Sequence, residues 1–283
     1  RNVSIKVSHT FMNMPEDGYK TRLDDARVGY FLTQTNDMTA TGTVNYRDLV
    51  HRWRLAKKNP NAAISEPVTP ITWWIENSTP LEWRETIKEG VLAWNGAFEK
   101  AGFRNAMVVK VQPDDATWDA GDVRYNVLRW TSSPNPPFGG YGPSFVNPRT
   151  GEILGADIML EYVHFTNRVF GEKLYDDSVS NMNLETTEEL EIKKFQQKNN
   201  PVFCSKGHMM HENLMFGNTV LQVTGATDLE MKRMKKEAMK SLIMHEVGHT
   251  LGLNHNMKAS QLFTPAQLAD ADFIEGKALT GSV

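Results

Sequence analysis

The sequence predicts an α+β fold in which short strands alternate with long helices, one of which carries a metal site. Three observations predict it. Short runs rich in β-branched and aromatic residues, bounded by Gly, Pro and Asn, recur through the first 160 residues. Two stretches, near residues 80–100 and 228–251, repeat apolar residues at helical spacing. Residues 245–255 read HEVGHTLGLNH, which places three histidines in the pattern HExxHxxGxxH.

Residues 1–65 are expected to form a strand-rich segment that wraps the rest of the chain, with 66–283 as the main domain. VSIKV (3–7) alternates, RVGYFL (27–32) is a short apolar strand, and VNYRDLVHRWRL (44–55) alternates weakly. ITWWIE (71–76) reads as a strand. Thr79-Pro80 then opens a helix that runs through Lys100, with Pro80 at its first position and Gly102 as its stop. Leu81, Ile87, Val91, Trp94 and Phe98 give that helix an apolar face. AMVVKV (106–111) and DVRYNVLRW (122–130) follow as strands, and Trp73, Trp74 and Trp130 are assigned to the core. The Pro/Gly-rich stretch 132–142 leads into GPSFVNPRTGEILGADIML (142–160), whose NPRTG reads as a hairpin turn.

Residues 165–202 are polar and carry the pair Glu189 and Lys193 at i,i+4, which suggests an insertion with a solvated helix. A helix through 207–223 is expected to pack on the helix that bears HEVGH. Cys204, His208 and His211 are spaced C-x3-H-x2-H, loosely compatible with a second metal site. A buried Cys204 acting as a small apolar residue is the simpler assignment.

Composition narrows the function classes. Thirty-one Lys and Arg against 34 Asp and Glu give a net charge of -3 with interspersed signs. No basic patch results, so neither nucleic acid nor an anionic membrane is an expected partner. No apolar run approaches the ~18 residues of a membrane-spanning helix. The single cysteine excludes an internal disulfide.

The chemistry is concentrated in residues 245–255. On a helix, positions i and i+4 lie on one face, so His245 and His249 can present two nitrogens to one metal. Glu246 sits beside that face, placed to hold a water without being a ligand. Gly252 can adopt the left-handed conformation that ends the helix. His255 then returns as a third ligand. Three protein ligands and an open fourth position describe a catalytic site for one Zn2+. HExxH alone arises by chance in about one chain in a hundred of this length, and Gly252 with His255 lowers that to about one in 10⁵. Thr227 and Glu230 form a capping box for the same helix, with Met234, Ala238 and Leu242 at helical spacing. Glu246 would be the general base for water attack on a peptide carbonyl.

The elongated motif resembles that of the metzincin zinc endopeptidases. Together with residues 15–31, 57–76 and 147–153, it is similar to a family of bacterial zinc-dependent metalloproteases common in Bacteroidota. The resemblance implies a mixed, mostly parallel twisted sheet with an antiparallel edge strand, a backing helix and an active-site helix. It implies a peptide or protein substrate and an extracytoplasmic setting. In such a fold the edge strand above the zinc pairs with substrate, and it is placed near residues 153–160, with Gly155, Ala156, Asp157 and Ile158 as the contacts. Metzincins also carry a methionine turn beneath the metal. The only methionine after His255 is Met257, too close to serve, so the chain is expected to stop just short of that turn with its C-terminal subdomain truncated. Two alternatives stay open: a catalytically silent zinc-binding domain that binds a peptide or partner, and a zinc hydrolase with Glu275 as third ligand.

Overall fold

The fold is that of a computed structural model that describes residues 4–5, 7, 9–15, 18–132, 140–162, 206–274, 277 and 280–283. Its N-terminal part forms a hairpin of β1 (Leu32–Asn36) and β2 (Tyr46–Val50), paired antiparallel from Leu32↔Val50 to Asn36↔Tyr46. The chain continues at once into β3 (Arg52–Trp53), which joins a different sheet. The strand expected at 3–7 is not found among its described residues, and Ile5 and Val7 are exposed. The strand expected from 27 begins only at Leu32, because a turn occupies 26–28.

The central sheet has five strands. They are β4 (Ile71–Ile75), β5 (Met107–Val111), β6 (Asn126–Thr131), β7 (Gly140–Tyr141) and β10 (Ile158–Glu161), in the spatial order β5-β4-β6-β10-β7. The first four in that order pair parallel, and β7 closes one side antiparallel to β10. One face of β4 is packed into the core, with Ile71, Trp73 and Ile75 buried, while Thr72 and Trp74 on the other face are half-buried. β6 starts later than its sequence suggests. Asp122 accepts hydrogen bonds from the backbone and guanidinium of Arg124, and this local turn holds 122–125 out of the sheet.

Two further strands, β8 (Ser144–Val146) and β9 (Glu152–Ala156), form the expected hairpin, and β3 adds parallel to β9. In the turn, Asn147 accepts from Arg149 N through its side chain and from Gly151 N through its carbonyl. Gly151 has φ +76°, and a Cβ there would lie 2.6 Å from the Val50 carbonyl oxygen.

The long helix expected at 80–100 is two helices, α1 (Leu81–Leu92) and α2 (Asn95–Lys100). Pro80 is the N-cap instead of the first helical residue. The break falls where two side chains are committed elsewhere. Trp94 donates its indole N–H to the Met244 carbonyl, and the Asn95 amide bonds both backbone groups of Met107. Leu81 is exposed, so the buried face is Trp83, Thr86, Ile87, Gly90 and Val91. Gly102 ends α2 as expected, at φ +89°, with Gly102 N→Glu99 O and Phe103 N→Phe98 O completing a Schellman motif.

α3 (Lys206–Val223) packs against α4 (Asp228–Thr250), the helix that carries HEVGH. The capping box of α4 is formed in both directions between Thr227 and Glu230. Its buried face, Met239, Leu242, Ile243 and Val247, joins Ile87 and Val91 of α1 and the sheet residues Trp73, Leu128, Ile158 and Leu160 in one core. A 3-10 turn (Met257–Gln261) and two short helices, α5 (Pro265–Ala269) and α6 (Ala271–Ile274), follow. The insertion 165–202, Cys204 and Glu275 lie outside the described residues, as do the side chains of His208 and His211. Among the described residues, no helix is long and apolar enough to cross a membrane.

Candidate metal centre

α4 carries two of the candidate ligands in its last two turns. His245 and His249 project from one face, both buried, and the chain reverses immediately afterwards. Gly252 makes the reversal at φ +96°, with Gly252 N→His249 O and Leu253 N→Gly248 O forming a Schellman motif. A Cβ on Gly252 would lie 2.1 Å from the His51 carbonyl oxygen, so glycine is required by close approach as well as by conformation. The reversal returns His255 to the helix face. The three Nε2 atoms are 3.1 Å (His245–His249), 3.1 Å (His249–His255) and 3.3 Å (His245–His255) apart.

These separations match the metal the motif implies. Ligand nitrogens about 2.0–2.1 Å from a tetrahedral zinc lie roughly 3.3 Å from one another. Protonation agrees for one ring. His249 Nδ1 is 2.9 Å from the Leu253 carbonyl oxygen, which can only accept, so Nδ1 carries the proton and Nε2 offers its lone pair to the shared point. His245, His249 and His255 are the one group of candidate ligands this close among the described residues. The trio therefore fits a zinc ion.

Glu246 is fully buried in the same turn. The edge strand β7 lies directly against it. A Cβ on Gly140 would sit 2.7 Å from Glu246 Oε1, and one on Gly142 would sit 3.0 Å from the Glu246 carbonyl oxygen. Gly140 thus makes room for the carboxyl group and Gly142 for the backbone of the same turn. The stretch 132–142 is expected from its Pro and Gly content to be a loop only, and the signal for this close approach in the sequence is the cluster Gly139, Gly140 and Gly142. The residues nominated for substrate pairing do not lie on a free edge. Gly155 and Ala156 pair with Phe145 and Ser144, Ile158 pairs with Leu128, and all four residues from Gly155 to Ile158 are buried. Asp157 sits between the two sheets and accepts from Val127 N. Burial raises its carboxyl to about 6, with the Val127 N–H and Arg129 opposing.

Other close approaches surround the helix end. Gly248 has no side chain where Val283 and the Trp94 ring converge. Asn256 N donates to the Ser282 hydroxyl. From the N-terminal part, Phe31 brings its ring to 5.7 Å from that of His249, and Trp53 donates its indole N–H to the Thr250 carbonyl. His51, half-buried and hydrogen-bonded to Thr33 Oγ1, is held below the usual imidazole range by desolvation.

Residues 227–283 match the family described as Met-zincin. The match supports a metzincin-like zincin domain, and the matched stretch contains all three histidines. Residues 1–58 match a second family, described as a domain of unknown function. No curated protein and no solved structure matches the chain.

Proposed function

We propose that the chain is the catalytic part of a zinc endopeptidase, with His245, His249 and His255 as ligands and Glu246 as general base. The observation that carries this reading is the convergence of three Nε2 atoms within 3.1–3.3 Å beside a buried glutamate on the same helix. A module built only to hold zinc has no use for that glutamate. A zinc ion held by His245, His249 and His255 would supply Lewis acidity, lowering the pKa of a bound water towards neutral and polarising a peptide carbonyl. Glu246 accepts the proton of the attacking water and returns it to the leaving amine nitrogen. The Leu253 carbonyl holds His249 in the tautomer that presents Nε2.

The substrate would lie along β7, the antiparallel edge of the central sheet, and not along residues 153–160. Edge strands bind extended peptides through backbone hydrogen bonds, and a peptide added to β7 would lie near Glu246. In this reading residues 66–283 form the catalytic domain and 1–65 wrap it. An extracytoplasmic setting follows from the family resemblance.

Hydrolysis of a denatured protein substrate by zinc-loaded wild type and by Glu246→Gln tests the proposal. The variant is expected to keep its zinc and to lose activity by about 10²–10⁴-fold, the span of general-base catalysis. Equal rates would remove Glu246 from the mechanism. Zinc binding without hydrolysis by wild type would favour the silent-domain alternative.

A further inference from the structure

We infer that the N-terminal segment, through residues 29–31 and Trp53, is a positioning element of the metal centre, acting on His249 and His255 through the loop that joins them. This rests on the metal-site reading above.

The loop 252–254 behaves as a one-residue-wide strand with two distinct edges. Tyr30 and Leu253 form an antiparallel bridge. Its two hydrogen bonds, Phe31 N→Gly252 O at 2.8 Å and Asn254 N→Gly29 O at 3.1 Å, belong to the residues flanking Leu253. Strand alternation therefore turns the backbone groups of Leu253 itself the other way, towards α4. Leu253 N donates to the Gly248 carbonyl, and Leu253 O accepts a hydrogen bond from His249 Nδ1. One edge of the loop is read by the N-terminal segment, and the other orients a ligand.

Three more contacts fix the same loop. The His51 carbonyl packs against Gly252 so closely that no side chain fits between them. His51 N bonds Phe31 O at 2.9 Å, tying both segments together. The Trp53 indole caps the Thr250 carbonyl at 2.8 Å, one of the orphan acceptors at the end of α4. Asn254, held by Gly29, immediately precedes His255. All of these partners fall within the match of residues 1–58 to a domain of unknown function. That segment thereby acquires a role: it preorganises two of three zinc ligands.

The test is zinc affinity of the full chain, measured by chelator competition, beside thermal unfolding of the metal-free protein and the visible spectrum of the cobalt-substituted protein. Phe31→Pro removes the N–H that bonds Gly252, and Phe31→Leu removes the ring but keeps that N–H. Relative to Phe31→Leu, Phe31→Pro is expected to weaken zinc binding by about 10–100-fold, the usual effect of losing a partner that orients a ligand. Its cobalt spectrum should shift as well. Trp53→Phe, which keeps the packing and loses one hydrogen bond, is expected to weaken zinc several-fold and serves if Phe31→Pro does not fold. Zinc bound by wild type, with unchanged affinity and cobalt spectrum in the folded variants, would overturn the role of the segment. A wild-type chain that binds no zinc would overturn the metal-site reading first, and this inference with it.

Discussion

Single residues at the centre are chosen for what they lack as much as for what they offer. Gly140 and Gly142 vacate the space that Glu246 fills, and Gly252 vacates the space taken by the His51 carbonyl. Only Gly252 was legible in the sequence, because it belongs to the motif; the other two depend on which strand crosses α4. Asp157 shows the opposite case, a polar group buried at a cost. Its carboxyl titrates near 6 in the fold, against an unfolded value near 3.8. The raised value means that the unfolded chain ionises first as pH rises, so folding loses stability between about 4 and 6 and does not regain it above. Two pH units correspond to at most about 3 kcal/mol. Asp157→Asn keeps an oxygen to accept from Val127 N and removes the ionisation. It is expected to raise the melting temperature at pH 7.5 and to change it much less at pH 4.5. Equal shifts at both values would show that burial of charge is not what Asp157 contributes.

Elements were legible where the signal is local. The start of α4 was readable from the Thr227–Glu230 box, its end from Gly252, and the 147–151 turn from its Asn, Pro and Gly. The break between α1 and α2 was not, because it follows from hydrogen bonds to partners far away in sequence, Trp94 to Met244 above all. The edge strand escaped for the same reason: strand order is set by long-range pairing, and β10 became an inner strand flanked by β6 and β7. The crossing of α1 and α4 turns on Gly90, where a Cβ would lie 2.7 Å from Ile243 Cβ and 3.2 Å from the Lys240 carbonyl oxygen. Alanine in a helix gains up to about 1 kcal/mol over glycine, but overpacking a core costs about 1–3 kcal/mol. Gly90→Ala is therefore expected to destabilise by about 1–2 kcal/mol in denaturant unfolding. Gly96→Ala, on α2 with open space around it, should instead stabilise. Stabilisation by both would mean that α1 and α4 are not in tight contact at Gly90.

At the scale of the molecule, the metal centre joins parts that lie far apart in the chain. α4 supplies two of the proposed ligands, the reversal at Gly252 supplies the third, β7 covers the proposed base Glu246, and residues 29–53 brace the reversal. The mixture of helices and strands and the convergence of the three histidines followed from periodicity and one motif. The brace and the cover did not, because backbone hydrogen bonds between distant segments leave little trace in residue identity. The central claim is that His245, His249 and His255 together hold one zinc ion. Metal analysis after exhaustive dialysis, on wild type, Glu246→Gln and His249→Ala side by side, tests it most directly. About one zinc per chain should remain in wild type and in Glu246→Gln, and His249→Ala should retain almost none. Zinc retained equally by His249→Ala, or absent from a folded wild type, would contradict it.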